Sequence, residues 1–373
     1  MQLTTITTYR NACNLLNSIF HRSGDDTFKL RTVSDNIESD GNEITEILET
    51  KSAEILKHAS FDPESGLPLN PESLSEGIRN PSFRRMNKAE IRKLTAPYNK
   101  VRDRECQIKR WDLLNNIELD PGDCVYISID DVGVKHQKDT RKDGGTKEGK
   151  YVENTVIHIQ SVEGEYTLTG IGMDNALKLL LAYLLKNNLL ENRQLIFFSD
   201  GARNIRNGIE KYFDFCPSIH MLDWYHLEKR MTELTSMALK GTKSERYAIR
   251  EHMDSMLWAG NVDDTIKYLK GLAPKNVKNN TKLKEAIDYL ERKKDFICCY
   301  AIRKLLGYRN SSNSAEKTND LIVAERQKHN GMSWSSNGSH ALAIVTASVR
   351  NGEIDNWLHG KPIRFSPCPA GAA

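Results

Sequence analysis

Two short hydrophobic runs in the middle of the chain share one pattern, in which β-branched and aromatic residues lead into an aspartate. The first is residues 124–130 (CVYISID) and the second is residues 194–200 (QLIFFSD). Runs of this length and composition are typical of buried strands. A glycine and an amphipathic stretch follow Asp200, so the second strand is predicted to turn directly into a helix. Both aspartates are expected at the carboxyl ends of strands, where ligands gather in open α/β sheets.

The sequence between these two runs predicts two more strands and a helix. Residues 151–162 and 165–172 are β-type runs separated by the turn residues Glu163 and Gly164, which indicates an antiparallel hairpin. Leucines at helical spacing follow in residues 175–186. The predicted order is therefore β-β-β-α-β, and the predicted fold class is α/β, a mixed sheet flanked by helices.

After Asp200 the pattern becomes mainly helical. Residues 201–213 predict a helix, and residues 218–223 predict a fifth strand that leads into another helix at Trp224. From residue 226 to residue 310 the hydrophobic spacing is helical almost throughout. This stretch is too long for a simple connection, so we predict an all-helical insertion.

The first third of the chain carries helical patterning but no chemical motif. Helices are predicted in residues 9–20 and 44–56, separated by the polar stretch 34–42. Residues 58–82 contain four prolines and several glycines and serines, which favours a linker or surface excursion. The predicted units are a mainly helical N-terminal region, the first part of an α/β core, a helical insertion, and the last core helix with the C-terminal segment. Their ranges are 1–115, 120–225, 226–310 and 311–360.

The composition is that expected of a soluble globular protein. Of 373 residues, 39% are hydrophobic and 28% are charged, and the mean hydropathy is −0.56. No apolar run approaches the ~20 residues that a membrane span requires. The amino terminus lacks the basic and apolar regions of a signal peptide, and the seven cysteines form no CxxC pair. We therefore expect a cytoplasmic protein with reduced thiols and no membrane partner.

Charge is distributed unevenly along the chain, although the net charge is only +3. Residues 1–80 lean acidic, whereas residues 84–110 carry ten lysines and arginines against three acidic side chains. Clustered positive charge is the electrostatic footprint of a phosphate-backbone partner. A solvated helix face is the alternative interpretation. The basic segment is the best candidate in the N-terminal region for a DNA-binding helix.

Five short blocks together resemble a known family, the prokaryotic insertion-sequence transposases of the DDE class. The blocks are Ile129-Asp130, Phe198-Ser199-Asp200-Gly201-Ala202, Leu222-Asp223-Trp224-Tyr225-His226, Ser314-Ala315-Glu316, and Arg326-x-Lys328-x-x-Gly331-Met332-x-Trp334-Ser335. The resemblance covers residues 120–360 and implies an RNase H-like catalytic domain. The predicted β-β-β-α-β order is the order of that fold.

The resemblance implies a magnesium-dependent enzyme that cleaves DNA at element ends and transfers the exposed 3′-hydroxyl into target DNA. Two divalent ions can activate water and neutralise the attacked phosphate, and Mg²⁺ prefers oxygen ligands. The matching carboxylates, expected to be both catalytic residues and metal ligands, are Asp130, Asp200 and Glu316. We expect Mn²⁺ to substitute for Mg²⁺. The implied partner is double-stranded DNA, both element ends and target, bound by a nucleoid-associated homo-oligomer.

The first carboxylate has a competitor in Asp131. Strand side chains alternate between faces, so only one of the two aspartates can point to the site. Asp130 shares the more polar face with Tyr126 and Ser128, which favours it. Family members usually have glycine where this chain has Asp131, and this departure leaves the choice open.

The third carboxylate also has competitors. Glu325 lies nine residues after Glu316, and at ~100° per residue the two fall on opposite faces of one helix. Glu316 fits the family block by its distance to Trp334, while Asp320 is an alternative on the same face. The family commonly has glycine-rich residues before this glutamate, where this chain has Ser312-Asn313-Ser314-Ala315.

Several residues in these blocks are candidates for DNA contacts, each with a structural alternative. The two arginines could hold phosphate or form surface ion pairs. The histidine could contact the scissile phosphate or pack beneath Asp223 at a helix start. The tryptophan could stack on a base or be a buried aromatic. The candidates are Arg203, His226, Arg326, Lys328 and Trp334.

Cys216, His220 and His226 have the loose spacing of metal ligands, but without a CxxC pair or a fourth ligand they do not predict a zinc site. Two other functions remain compatible with the sequence. One is an RNase H-like nuclease that cuts without joining, against which the insertion and the Gly331–Trp334 block argue. The other is a catalytically inactive DNA-binding remnant of a transposase.

Overall fold

The computed structural model describes residues 2–109, 117–118, 121–137, 151–311, 320–328 and 332–368. Two sheets occur within these ranges. The strands are β1 (Arg84–Arg85), β2 (Ile117–Glu118), β3 (Cys124–Lys135), β4 (Tyr151–Ser161), β5 (Gly164–Gly170), β6 (Gln194–Ser199) and β7 (Ser218–Leu222). β1 and β2 form a small antiparallel pair. The other five form one mixed sheet in the order β5-β4-β3-β6-β7.

The five-stranded sheet has an antiparallel half and a parallel half. β3, β4 and β5 pair antiparallel, whereas β3, β6 and β7 run parallel. Parallel strands need crossovers, and helices between β5 and β6 and between β6 and β7 supply them. The mixed α/β fold class predicted from the sequence is confirmed.

Helices account for most of the remaining chain. They are α1 (Gln2–Ile6), α2 (Tyr9–Ile19), α3 (Leu30–His58), α4 (Glu76–Arg79), α5 (Lys88–Lys100), α6 (Gly172–Lys186), α7 (Arg203–Phe213), α8 (Trp224–Ala238), α9 (Lys243–Trp258), α10 (Val262–Lys270), α11 (Asn280–Lys293), α12 (Tyr300–Leu305), α13 (Glu325–Gln327), α14 (Ser336–Arg350) and α15 (Ile354–Leu358). A π-helical turn, Asp320–Ala324, leads directly into α13. Among the helices of the described residues, none has the length and apolar character needed to cross a membrane.

Three predicted boundaries were wrong. β3 continues to Lys135 instead of ending at Asp130, because β4 pairs with it along this whole stretch. α3 runs without interruption through the polar stretch 34–42, where Ile37 and Gly41 continue its buried stripe. The hydrophobic spacing predicts one helix over residues 283–306, but the observed helix α11 ends at Lys293 and a separate helix, α12, begins at Tyr300.

The two faces of the large sheet pack against different parts of the chain. On one face, Val125, Ile127 and Ile129 join a core formed with residues of α3, α6, α7 and α14. On the opposite face, Tyr126 and Phe198 join a core formed with α8, α9, α10 and α11. The helical insertion therefore covers one face of the sheet and shares a core with it.

The insertion-covered face carries a second, smaller cluster near the carboxyl end of β3. Val132 and Val134 pack there with Val156 of β4 and with Ile322 and Val323 of the π-helical turn. Alanines of α14 complete the cluster. Ser128 and Asp130 occupy the stretch of β3 between this cluster and the insertion core, and both are only half-buried.

The N-terminal helices contact both of these regions. α3 packs against α6 and α14, while α5 uses Ile91, Leu94 and Tyr98 to pack on residues of α9 and α12. The basic side chains Lys88, Arg92, Lys93 and Lys100 remain exposed on α5. The division of the chain into four units remains a prediction. The N-terminal helices share one core with α6 and α14 and another with α9 and α12.

A close contact between α3 and α14 predicts a specific loss of stability. A Cβ atom at Gly41 of α3 would lie 2.6 Å from both Cα and Cβ of Ala341 in α14. We expect Gly41→Ala to lower the free energy of unfolding by about 2 kcal/mol, because overpacking exceeds the gain of ~1 kcal/mol from helix propensity. Urea unfolding measures the change.

Gly271→Ala is the matched control, because a Cβ there comes no closer than 3.4 Å to another atom and the backbone φ is −88°. Its unfolding free energy should stay within about 0.5 kcal/mol of wild type. An unchanged or increased stability of Gly41→Ala would show that α3 and α14 do not approach as closely as described.

Candidate active site

The parallel register of β3 and β6 brings two of the predicted carboxylates side by side. The last registered pair is Ser128 with Phe198, and two further residues along each strand lead to Asp130 and Asp200. Adjacent strands lie about 5 Å apart, so we expect the two aspartates to be neighbours beyond the carboxyl end of β6. Asp130 belongs to the insertion-covered face, since it alternates with Ile129.

The two carboxylates differ in exposure. Asp130 is half-buried, whereas Asp200 is exposed in the bend after β6. Asp200 Oδ1 accepts a hydrogen bond of 2.7 Å from the Ala202 N–H, one residue before α7 begins. This bond orients Asp200 within the turn and leaves its carboxylate facing solvent. Two oxygen-donor side chains so placed are of the kind that Mg²⁺ prefers.

The side chain of Asp131 points to the other face of the sheet, where both of its oxygens accept hydrogen bonds. Its Oδ1 accepts a hydrogen bond of 2.6 Å from Thr155 Oγ1, and its Oδ2 accepts one of 2.7 Å from Asn204 Nδ2. These bonds tie β3 to β4 and to α7. Both oxygens of Asp131 thus have structural partners, and the choice of Asp130 over Asp131 as a site residue remains a prediction.

The third predicted carboxylate, Glu316, lies outside the described residues, as does Ser314. Its competitors Asp320 and Glu325 are both exposed. The rotation of ~100° per residue used to separate Glu316 from Glu325 does not hold here, because residues 320–324 form a π-helix with i→i+5 hydrogen bonds. The π-helical turn packs against β3 on the face that carries Asp130.

Three of the DNA-contact candidates are accessible. Arg203 is the first residue of α7 and is exposed, three residues after Asp200. His226 lies in the first turn of α8, half-buried, with its ring edge-on to Tyr225 at 5.9 Å. Lys328 is exposed just after α13. Their roles in DNA binding remain predictions.

The other two candidates make contacts that fasten the N-terminal helices. Arg326 is 4% exposed and donates from Nε to the Thr4 carbonyl oxygen at 2.7 Å, with its guanidinium 5.7 Å from the Tyr9 ring. Trp334 donates from Nε1 to the Gln327 carbonyl oxygen and meets Tyr9 edge-on at 5.9 Å. These contacts account for both side chains within the fold, and their proposed DNA contacts are untested.

Comparison with known proteins places the chain in a family. Residues 122–358 match the profile of UPF0236, an uncharacterised protein family. The chain belongs to UPF0236. No curated protein matches it. Among solved structures it is similar to the Drosophila P element transposase strand transfer complex, with 9% identity, 87% of this chain and 83% of that chain covered, and a TM-score of 0.23. At this score the likeness does not establish a common fold.

Within the described part of this UPF0236 chain, no group of three or more His, Cys, Asp or Glu side chains is placed to hold a metal ion. The residues with loose zinc spacing have other partners. Cys216 Sγ contacts the Phe213 carbonyl oxygen at 3.6 Å, and burial raises its pKa to about 12. His220 Nε2 lies 2.9 Å from Ser199 Oγ, and burial lowers its pKa to about 4.

Two residues beside the site were not found by sequence reasoning, and both come from α11 of the insertion. Lys293 Nζ donates to the Gly201 carbonyl oxygen in the turn that follows Asp200. Burial lowers the pKa of Lys293, and the negative charge of Asp200 opposes this. Burial raises the pKa of Tyr289 to about 12, and Asp200 adds to the increase. No motif marks these residues, because their proximity depends on how the insertion packs.

Proposed function

We propose that this UPF0236 protein is a DDE transposase with an RNase H-like catalytic core. It would cleave DNA strands at element ends and transfer the resulting 3′-hydroxyl into target DNA. The observation that supports the proposal is the parallel register of β3 and β6, whose last pair, Ser128 with Phe198, lies two residues before Asp130 and Asp200. Glu316 is the proposed third carboxylate.

The strand arrangement supports the RNase H-like assignment. In chain order, the five strands of the large sheet lie third, second, first, fourth and fifth, with only the second antiparallel to the rest. The helical insertion follows β7, where the transposase resemblance implies it. The π-helical turn at residues 320–324 adds support, since π-turns are frequent at functional sites.

Asp130, Asp200 and Glu316 would hold Mg²⁺, or Mn²⁺ in its place. When bound, such ions supply an activated water and neutralise charge on the phosphate and the leaving oxygen. The protein's own part is to fix the carboxylates: the β3–β6 register sets the separation of Asp130 and Asp200, and the Ala202 N–H orients Asp200. No covalent enzyme intermediate is needed, since water and then the DNA end act as nucleophiles.

Charge supports DNA as the partner. Residues 226–310 contain 18 lysines and arginines against 11 aspartates and glutamates, an excess of seven that is larger than that of the whole chain. Exposed lysines and arginines on α5 extend this positive surface, because α5 packs on the insertion. Such a surface suits the phosphate backbone of double-stranded DNA. Pairing two element ends would require a homo-oligomer assembled on the nucleoid DNA.

Metal binding tests the site directly. We expect calorimetric titration with Mn²⁺, in the presence of DNA, to show binding that Asp130→Asn, Asp200→Asn and Glu316→Gln each weaken at least about tenfold. Asp131→Asn is the matched control, because its carboxylate is already bonded to Thr155 and Asn204. A wild type that binds no divalent ion would favour the DNA-binding remnant. Equal losses for Asp131→Asn and Asp130→Asn would refute the assignment of the first ligand.

A cleavage assay with and without target DNA separates a transposase from a nuclease. A transposase should join cut ends to a supercoiled target plasmid in the presence of Mg²⁺. Cleavage without any joined product would support the nuclease alternative.

A further inference from the structure

The turn that contains Asp200 is contacted by Lys293 of the helical insertion. Gly201 has φ +77°, and a Cβ atom there would lie 2.8 Å from Lys293 Nζ and 3.2 Å from its Cδ and Cε. Both the aliphatic stem and the ammonium of Lys293 therefore lie against the turn. The ammonium donates to the Gly201 carbonyl oxygen, next to Asp200.

Lys293 is itself fixed in position by its neighbours. It is the last residue of α11, where a positive charge is favourable at the helix C-terminus. Three residues later, the Phe296 ring contacts His220 of β7 in a tilted arrangement with centroids 5.0 Å apart, and the Arg206 guanidinium lies 5.8 Å from the Phe296 ring. The end of α11 and the residues just after it thus contact the turn after β6 and the middle of β7.

Asp200 has few other supports within the part of the chain that the structure describes. Its side chain is exposed, and it accepts a hydrogen bond from the Ala202 N–H within the same turn. A metal-binding carboxylate needs partners that keep it oriented, and loss of such partners typically weakens metal binding. Lys293 is placed to provide this support from a different element.

We infer that Lys293 is a positioning residue of the candidate site, through which the helical insertion holds the turn bearing Asp200. The inference rests on the proposed function, because it assigns the insertion a part in the carboxylate centre in addition to any contact with DNA. Lys293 acts through the Gly201 carbonyl and does not replace a metal ligand.

Lys293→Met tests the inference, since it keeps most of the side-chain volume and removes the ammonium. Lys294→Met is the matched control: Lys294 is the next residue, but its ammonium pairs with Asp263 at 2.6 Å, away from the turn. The first measurement is hydrogen–deuterium exchange of residues 201–204 in the metal-free protein. The second is calorimetric titration with Mn²⁺ alone.

We expect Lys293→Met to raise exchange in residues 201–204 by about fivefold or more through local opening, and to weaken Mn²⁺ binding by about tenfold. Lys293→Arg should restore most of both properties, because it keeps the charge and the donor. Lys294→Met should match wild type in both.

Unchanged exchange in Lys293→Met would overturn the inference. So would tighter Mn²⁺ binding, which is what a merely repulsive ammonium next to Asp200 would give when removed. Faster exchange throughout the sheet would mean a general loss of stability and would also overturn it. A wild type that binds no Mn²⁺ would refute the proposed function, while the exchange result would still decide whether Lys293 holds the turn.

Discussion

Replacing Asp200 by asparagine should reduce metal-dependent DNA cleavage by at least about a thousandfold, equivalent to roughly 4 kcal/mol of transition-state stabilisation. Asparagine has nearly the same shape and keeps an oxygen for the Ala202 N–H, so the turn should survive. What is lost is the negative charge that would hold a divalent ion beside Asp130. The measurement is the rate of nicking of supercoiled plasmid with Mn²⁺ under single-turnover conditions.

Asp214→Asn serves as the control for this experiment, because Asp214 is an exposed aspartate at the other end of α7. Its rate should equal that of wild type. Asp200→Asn activity within about tenfold of wild type would rule out a carboxylate-held metal at this position.

Acid should destabilise the protein well above the pH at which most carboxylates titrate. Three histidines, His158, His220 and His340, are held inside the fold, and burial lowers the pKa of each to about 4. In the unfolded chain each has a pKa of about 6.5. The unfolded state therefore binds more protons than the folded state between about pH 6.5 and 4, and stability falls as the pH falls through this window.

The expected loss of folding free energy is large. Each histidine with a lowered pKa contributes up to roughly 3 kcal/mol once the pH has fallen through the whole window between its unfolded and folded pKa values. Asp254 acts in the opposite direction, since burial raises its pKa to about 7 and its neutral form is favoured at low pH. The contribution of Asp254 offsets that of about one histidine, so we expect the free energy of unfolding to fall by several kcal/mol between pH 7 and pH 4.5. Urea unfolding at a series of pH values measures the slope.

A histidine variant tests whether the buried histidines cause this pH dependence of stability. His220→Gln should flatten the pH dependence, because it removes one of the three suppressed protonations. His359→Gln is the control, since His359 is exposed and should not affect the slope. A stability that does not change between pH 6.5 and 5 would contradict the burial of these three side chains.

The sequence predicted well those features that depend on local pattern. The pattern of apolar and polar residues predicted the five strands in their chain order, although the first strand continues past Asp130 to Lys135. Asp130 and Asp131 lie on opposite faces of β3, as face alternation predicts. Features that depend on distant contacts were missed. α3 crosses a polar stretch because Ile37 joins the main core and Gly41 lies against Ala341 of α14, some 300 residues away along the chain. Nothing near residue 40 encodes that partner.

The candidate site shows the same limit. Lys293 carries no motif, and only the packing of α11 beneath the sheet brings it to Gly201. Conversely, the block around Arg326 and Trp334 suggested DNA contacts by resemblance, whereas the described contacts of these two side chains are with Thr4, Tyr9 and Gln327. A motif specifies which residues matter but not which partner they meet.

The position of the last core segment in the chain has a consequence for synthesis. Within the residues that the structure describes, Val132 and Val134 of β3 pack against residues 320–324, Trp334 and α14, about 190 residues later. A ribosome adds roughly 5–20 residues per second, so this flank of the sheet stays open for about ten seconds or longer after β3 emerges. A chain whose synthesis stops before residue 320 would therefore keep these apolar side chains exposed and would be prone to aggregate.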